Sequence, residues 1–276
     1  MNISKFERFC IRYSIIISII QYTVAISVFS ESIRFSVKAT AIILCIVIEL
    51  FFSLVQGRPR ITATKLYNDD LDPKSAVSLT QELLKLRKIY DLNEKQQIYN
   101  DLFEYYISLG DTEKVIDLYT EIKRKNKKID KSYDLQLRLF LCTAYLYRGE
   151  KYLYDQEINN IQIQLDKSKT ARYLLKDQFN EVKLLEESLY GNNDPRFEEN
   201  VFEFLYKIKP NGKIGNKKPS DIQKISAYGL LFNFYKSNSN SEKATEYARK
   251  TAEIGNEQFI VYRIAKEYLE NADRSN

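Results

Sequence analysis

Histidine and tryptophan are absent from the 276 residues, methionine occurs once and cysteine three times. Without histidine the chain lacks both the usual general base near neutrality and the commonest metal ligand. Catalysis would fall to carboxylates, lysine or tyrosine alone. The three cysteines make no disulfide framework, because Cys10 borders one apolar segment, Cys45 lies inside another and Cys142 is remote from both. Arg8 and Phe9 precede Cys10, which is not the small-residue context of a lipoprotein cleavage site. Phosphate-binding loops, dinucleotide fingerprints and nucleophile elbows are also missing. Asn68 to Asp72 is acidic, but it lacks the glycine and closing glutamate of a calcium loop and runs directly into Pro73, so it reads as helix capping. The adjacent pairs Glu186-Glu187 and Glu198-Glu199 point to different helix faces and form no acid/base couple. No enzyme, cofactor or metal is expected. A large charge excess is missing too: of the net +5, the first 56 residues carry +2 and the rest +3. That balance calls for no nucleic-acid partner.

What is present begins with two apolar segments, Tyr13 to Phe29 and Ala39 to Val55, of 17 residues each. At ~1.5 Å per residue, and with their flanks added, each can cross most of a ~30 Å hydrocarbon layer. The expectation is a membrane hairpin over residues 1–56, with helices near 13–30 and 37–56, then a linker over 57–71 and a polar domain over 72–276. Lys5, Arg8 and Arg12 precede the first segment and Arg58, Arg60 and Lys65 follow the second, against Arg34 and Lys38 in the connection. Retention of cations on the cytoplasmic side then puts both termini in the cytoplasm. A cleaved signal peptide is the competing reading of the first run, weakened by Glu31 and the second apolar run behind it.

Glu49 lies inside the second segment, where a charge is costly. In an antiparallel hairpin it comes level with positions 18 to 21, so Ser18 and Gln21 are its expected hydrogen-bond partners. Hairpin adhesion is favoured over an ion site, because two helices alone make no transport path.

From Asp72 onward, Leu, Ile, Val, Tyr and Phe recur at three- and four-residue spacing, which predicts an all-α domain. Ten helices are expected, near 73–91, 94–109, 112–126, 132–148, 150–165, 168–190, 195–209, 220–236, 240–254 and 257–272. Asp72-Pro73 and Asp194-Pro195 mark starts, Gly110, Gly149 and Gly191 mark ends, and Asp111 is expected to cap the helix after Gly110.

Part of this array is internally repetitive. Tyr99, Leu102, Phe103, Tyr106, Gly110, Asp111, Val115, Tyr119 and Ile122 follow a spacing that resembles the tetratricopeptide repeat, with Phe103 where a small residue is usual. Tyr228, Leu231, Phe232, Tyr235, Ala244, Ala248 and Thr251 repeat the offsets, with Ser239 at the glycine position. A weaker copy comprises Leu141, Cys142, Tyr145, Gly149, Ile158 and Ile161, with Tyr154 at a normally small position. The resemblance implies a solenoid of stacked hairpins whose inner surface holds a protein or peptide. Tyr106, Tyr145 and Tyr235 are then scaffold, and Asn100, Glu104 and Asn233 on first helices are the expected partner contacts.

Two basic clusters remain: Lys123, Arg124, Lys125, Lys127 and Lys128, and a loop with Lys213, Lys217 and Lys218. A solvated turn is their first reading; attraction to membrane lipid is the second and nucleotide binding the third. The function expected is a membrane-anchored scaffold or adaptor for a protein or peptide at the cytoplasmic face. A peptide-sensing regulatory or immunity-type membrane protein and a transporter accessory subunit are the alternatives. Abundant Lys, Ile, Asn and Tyr with little Ala suggest a bacterium with an AT-rich genome.

Overall fold

The computed structural model describes residues 3–13, 16, 18–20, 22–23, 26, 35–86, 92–126, 129–191, 194–206 and 219–274. Among these the protein is all-α, with twelve helices of eight residues or more: α1 Lys5–Arg12, α2 Phe35–Asn68, α3 Pro73–Leu86, α4 Leu92–Leu109, α5 Thr112–Lys125, α6 Lys131–Tyr147, α7 Lys151–Lys167, α8 Lys169–Tyr190, α9 Phe197–Tyr206, α10 Asp221–Ser237, α11 Ser241–Ile254 and α12 Ile260–Arg274. The chain divides into two compact units: Met1–Leu66 with Ser75–Leu102, and Tyr67–Lys74 with Phe103–Asn276.

In the first unit, Ser4 and Glu7 form a capping box at the start of α1, each side chain satisfying the other's orphan backbone N–H. Ile3 and Ile11 then pack with Ala63 of α2, Leu79 and Leu83 of α3, and Ile98 of α4. Polar groups close over this small core. Arg8 pairs with Glu82 at 2.6 Å, and Arg60 grips both oxygens of Asp101 at 2.7 and 3.0 Å while donating to Gln97. Where a linker is expected over 57–71, α2 continues unbroken to Asn68, through Pro59. One stretch of α2, beginning at Ala39, is long and apolar enough to cross a membrane. Most of the first apolar segment, Gln21 included, lies outside the described residues, as do both termini of the expected 13–30 helix in part.

In the second unit the even-numbered helices pack in series, α6 on α8, α8 on α10 and α10 on α12. The odd-numbered helices α5, α7, α9 and α11 lie against the even ones that follow or precede them. The sequence explains these two rows. α6 and α10 are apolar on nearly all sides, with Leu135, Leu137, Leu139, Leu141 and Leu146 buried in one and Ile225, Leu230, Leu231, Phe232 and Phe234 in the other. A helix of that kind must be covered all round. α5 and α11 bury only stripes, Val115, Leu118 and Ile122, and Ala244, Tyr247, Ala248 and Thr251, so they can face solvent on the other side.

Three turns between rows share one hydrogen-bond pattern. Gly110, Gly149 and Ser239 have φ of +73°, +71° and +57°. The N–H of each next residue reaches back five positions, Asp111 to Tyr106, Glu150 to Tyr145 and Asn240 to Tyr235, at 2.9 Å in every case. These are Schellman turns, which satisfy carbonyls left open at a helix end. Tyr154, bulky where the repeat expects a small residue, is fully buried and donates its hydroxyl to Glu186 at 2.6 Å. Two capping expectations differ in detail. The Asp111 carboxylate makes no cap bond and holds Lys114 at 2.6 Å instead, and the helix after Asp194-Pro195 begins at Phe197, because Asp194 first accepts from the Arg196 N–H in a turn.

The ends of the even row meet. The Asn256 amide donates to the Leu71 carbonyl at 2.8 Å, Lys74 N–H donates to Gln258 at 3.1 Å, and the Arg263 guanidinium donates to the Leu109 carbonyl at 2.8 Å. Tyr67 stacks beside Tyr105 and Phe259, and Phe103 stacks on Phe140 at 4.9 Å. The second unit is thus a closed ring: the end of α4, then α6, α8, α10, α12 and back.

Candidate functional site

The inner faces of the ring line an open pocket of about 850 Å³. Each inner helix gives it one stripe at helical spacing: Gln136, Phe140, Thr143 and Tyr147 from α6, Asp177, Glu181 and Leu185 from α8, and Ile222, Ser226, Gly229 and Asn233 from α10. Glu104 and Ser108 from α4, Phe259 and Val261 beside the start of α12, and Tyr67 to Asp69 complete the wall. The surface is therefore mixed, with apolar and aromatic area interrupted by hydroxyls, amides and carboxylates.

Its charge is one-sided. Asp69, Glu104, Asp177 and Glu181 all line the cavity, and no lysine or arginine does among the described residues. Glu181 touches the cavity's solvent, yet protein on most sides weakens its hydration and raises its carboxyl above the usual range. Burial likewise pushes the Tyr147 hydroxyl up to about 12, with the nearby Glu181 charge adding to it. Tyr67, inside the wall, shares a 2.6 Å hydrogen bond with Ser108.

Of the partner contacts expected from sequence, Glu104 and Asn233 come together on this wall. Asn233 is only 7 % exposed. Asn100 lies in the first unit, where its side-chain oxygen is buried without a hydrogen bond. Glu49 is exposed on α2 with no hydrogen bond to the described Ser18, and Gln21 lies outside the described residues. The first basic cluster is partly neutralised, since Lys123 pairs with Asp134 at 2.7 Å and Lys125 with Glu121. Arg124 is exposed, and Lys127, Lys128, Lys213, Lys217 and Lys218 lie outside the described residues. Sequence reasoning missed Asp177 and Glu181. Their four-residue spacing puts them on one helix face, but it does not say which way that face turns.

Elsewhere in the unit, carboxylates are consumed by structure. Glu198 accepts from Tyr235 at 2.6 Å, Tyr247 at 2.5 Å and Lys243 at 3.0 Å. Glu186 accepts from Tyr154, Lys151 and Lys183. Burial opposes ionisation of both, but these donors outweigh it and hold each carboxyl below its ordinary range. These clusters tie outer helices to inner ones and leave nothing open to a ligand.

No family model matches the chain, and comparison with the curated proteins and with solved structures gives no match.

Proposed function

We propose that this protein is a membrane-anchored binding scaffold whose helical ring holds a protein or peptide segment, with no catalytic role. The observation that carries this reading is the open pocket, whose mixed polar and apolar wall is presented by five successive inner elements. The three matching turns at Gly110, Gly149 and Ser239 support a tetratricopeptide-like arrangement that has curved far enough to close.

Anchoring by two helices is supported by connectivity. Ile3, Arg8 and Ile11 pack with Ala63 and Glu82, so the chain before the first apolar run and the chain after the second lie together. If the Ala39 stretch crosses a bilayer, residues between Arg12 and Phe35 must cross it as well to bring those ends to one side. The flanking cations assign that side to the cytoplasm.

The test is site-specific photocrosslinking in the native membrane. A photoreactive residue replacing Thr143, on the cavity wall, should capture a partner that the same residue at Tyr152, which is 72 % exposed on the outer row, does not. Equal capture at both positions, or none at Thr143, refutes the reading. A second reading, accessory to another membrane subunit, is favoured by Glu49, a carboxylate on an exposed apolar face with no partner among the described residues. Its loss on Glu49→Gln, with peptide capture intact, would separate the two.

A further inference from the structure

The chemistry of the occupant can be narrowed, resting on the binding role just proposed. Asp69, Asp177 and Glu181 line the cavity with no hydrogen bond or ion pair among the described residues. Some carboxylates elsewhere in the same unit have cationic partners on the protein, among them Glu121, Asp134, Glu157, Glu186 and Glu198. Among the described residues no lysine or arginine stands on this wall. Like charges gathered along one wall repel one another, an arrangement that a bound cation relieves.

The kind of cation follows from spacing. No three acidic groups among the described residues come together as a metal-binding cluster. The negative charge is spread over α4, α8 and the turn that follows α2, which suits an elongated organic cation with several positive groups. A second, independent feature points to a peptide. Asn233 reaches the same wall from α10, more than nine-tenths buried and without a hydrogen-bond partner among the described residues. A side-chain amide offers one donor edge and one acceptor edge, the complement of a peptide bond. With so little of the residue exposed, the amide's route to a partner is through the pocket, where a ligand backbone can pair with it. Phe140, Tyr147 and Phe259 add faces on which a cation or an apolar side chain can lie.

We infer that the cavity selects a peptide segment bearing lysine or arginine, with Asp69, Asp177 and Glu181 receiving the cations and Asn233 a backbone amide.

The experiment uses the full chain in nanodiscs of zwitterionic lipid, to remove nonspecific attraction of cations to the bilayer. A phage-displayed random nonapeptide library is selected on it, and enriched peptides are measured by fluorescence anisotropy. Enrichment of lysine and arginine is expected. Glu181→Gln, an isosteric change at a solvent-touching position, should weaken the best peptide by about tenfold, as loss of one charge partner in a confined site does. Asn233→Ala should weaken cationic and charge-neutralised peptides by the same factor. Enriched peptides without a cationic bias would overturn the inference and leave the binding role standing. No enrichment at all would remove the binding role itself. Spermine competing at the affinity of the best peptide would overturn the peptide as occupant, because a free polyamine has no backbone for Asn233 to hold.

Discussion

Gly110 and Gly149 occupy the same place in two of the matching turns, and their replacement by alanine should have unequal consequences. Both have φ near +70°, where an L side chain is strained. Left-handed backbone costs a non-glycine residue ~1–2 kcal/mol, so after the stiffer unfolded chain is credited each substitution starts from a penalty of about 1 kcal/mol. At Gly149 that is all, since an added Cβ meets nothing within 4 Å. At Gly110 it would stand 2.5 Å from Ile260 Cδ1 and 3.1 Å from both Ile260 Cβ and Arg263 Nη2. The terminal methyl can rotate away; the Cβ cannot, and Arg263 is held by its bond to the Leu109 carbonyl. Overpacking of this kind adds ~1–3 kcal/mol, so Gly110→Ala should destabilise by about 2–4 kcal/mol against about 1 for Gly149→Ala. Urea unfolding of the full chain in micelles, followed by tyrosine fluorescence, measures both without interference from tryptophan, which the chain lacks. In a double-mutant cycle, Ile260→Gly, which removes that Cβ, should recover part of the excess at Gly110 and none at Gly149. Equal losses at the two glycines, or no coupling to Ile260, would refute the closure of the ring at this point.

Four further outcomes are expected. Ser239→Gly, at φ +57°, should stabilise by about 0.5–1 kcal/mol in the same unfolding assay, because it relieves left-handed strain at the one repeat turn that lacks glycine. Phe197→Ala removes a fully buried ring stacked on Phe234 at 4.1 Å and should cost ~3–5 kcal/mol; a loss below 1 would show that α9 is not anchored there. Glu198 has a depressed carboxyl pKa in the folded chain, so its contribution is present above the unfolded value of ~4.3 and is lost as pH falls through the folded value. Thermal melts taken downward from pH 5 should therefore fall more steeply for the parent chain than for Glu198→Gln, and parallel curves would contradict the assignment. Arg60→Ala breaks a two-pronged pair with Asp101 and should lower the melting temperature more than Arg124→Ala, whose side chain is exposed.

The helical array was legible because its signals are local. Apolar spacing, Pro73 and the glycines at 110, 149 and 191 placed helix ends within a few residues of those observed, as at Thr112–Lys125 against an expected 112–126. The limits of local signals appear at Asp111 and over 57–71. Asp111 fits a cap by residue type, yet Lys114 one turn on competes for its carboxylate. Residues 57–68 read as a linker because arginine and proline interrupt an apolar run, yet Ala63 and Arg60 find tertiary partners that keep α2 helical through Pro59. In the cavity, Glu104 and Asn233 could be proposed from their place on first helices, but Asp177 and Glu181 could not. Nothing within α8 distinguishes an acidic stripe that faces solvent from one that faces a pocket wall.

Closure is the property that no repeat pattern contains, because it is made by residues outside the repeats. Leu71, Asn256 and Gln258 belong to connecting segments and Lys74 to the first turn of α3, and their hydrogen bonds tie the 71–74 segment to the chain that leads into α12. An open array of these helices would display the acidic stripe of α8 on a concave surface in bulk water, where each carboxylate is hydrated and attracts a cation weakly. Joining the ends turns that stripe toward the other inner helices, where Glu181 keeps contact with water but is partly desolvated, so that its carboxyl pKa is raised. The two weak bonds from the 71–74 segment and the Ile260 contact at Gly110 are therefore coupled to binding. Loosening them should cost affinity at a distance from every group that touches the ligand, and Asn256→Ala, which removes only the bond to the Leu71 carbonyl, tests this. A peptide selected on the parent chain should bind this variant more weakly while the variant remains folded, whereas unchanged affinity would mean that the wall works without the ring.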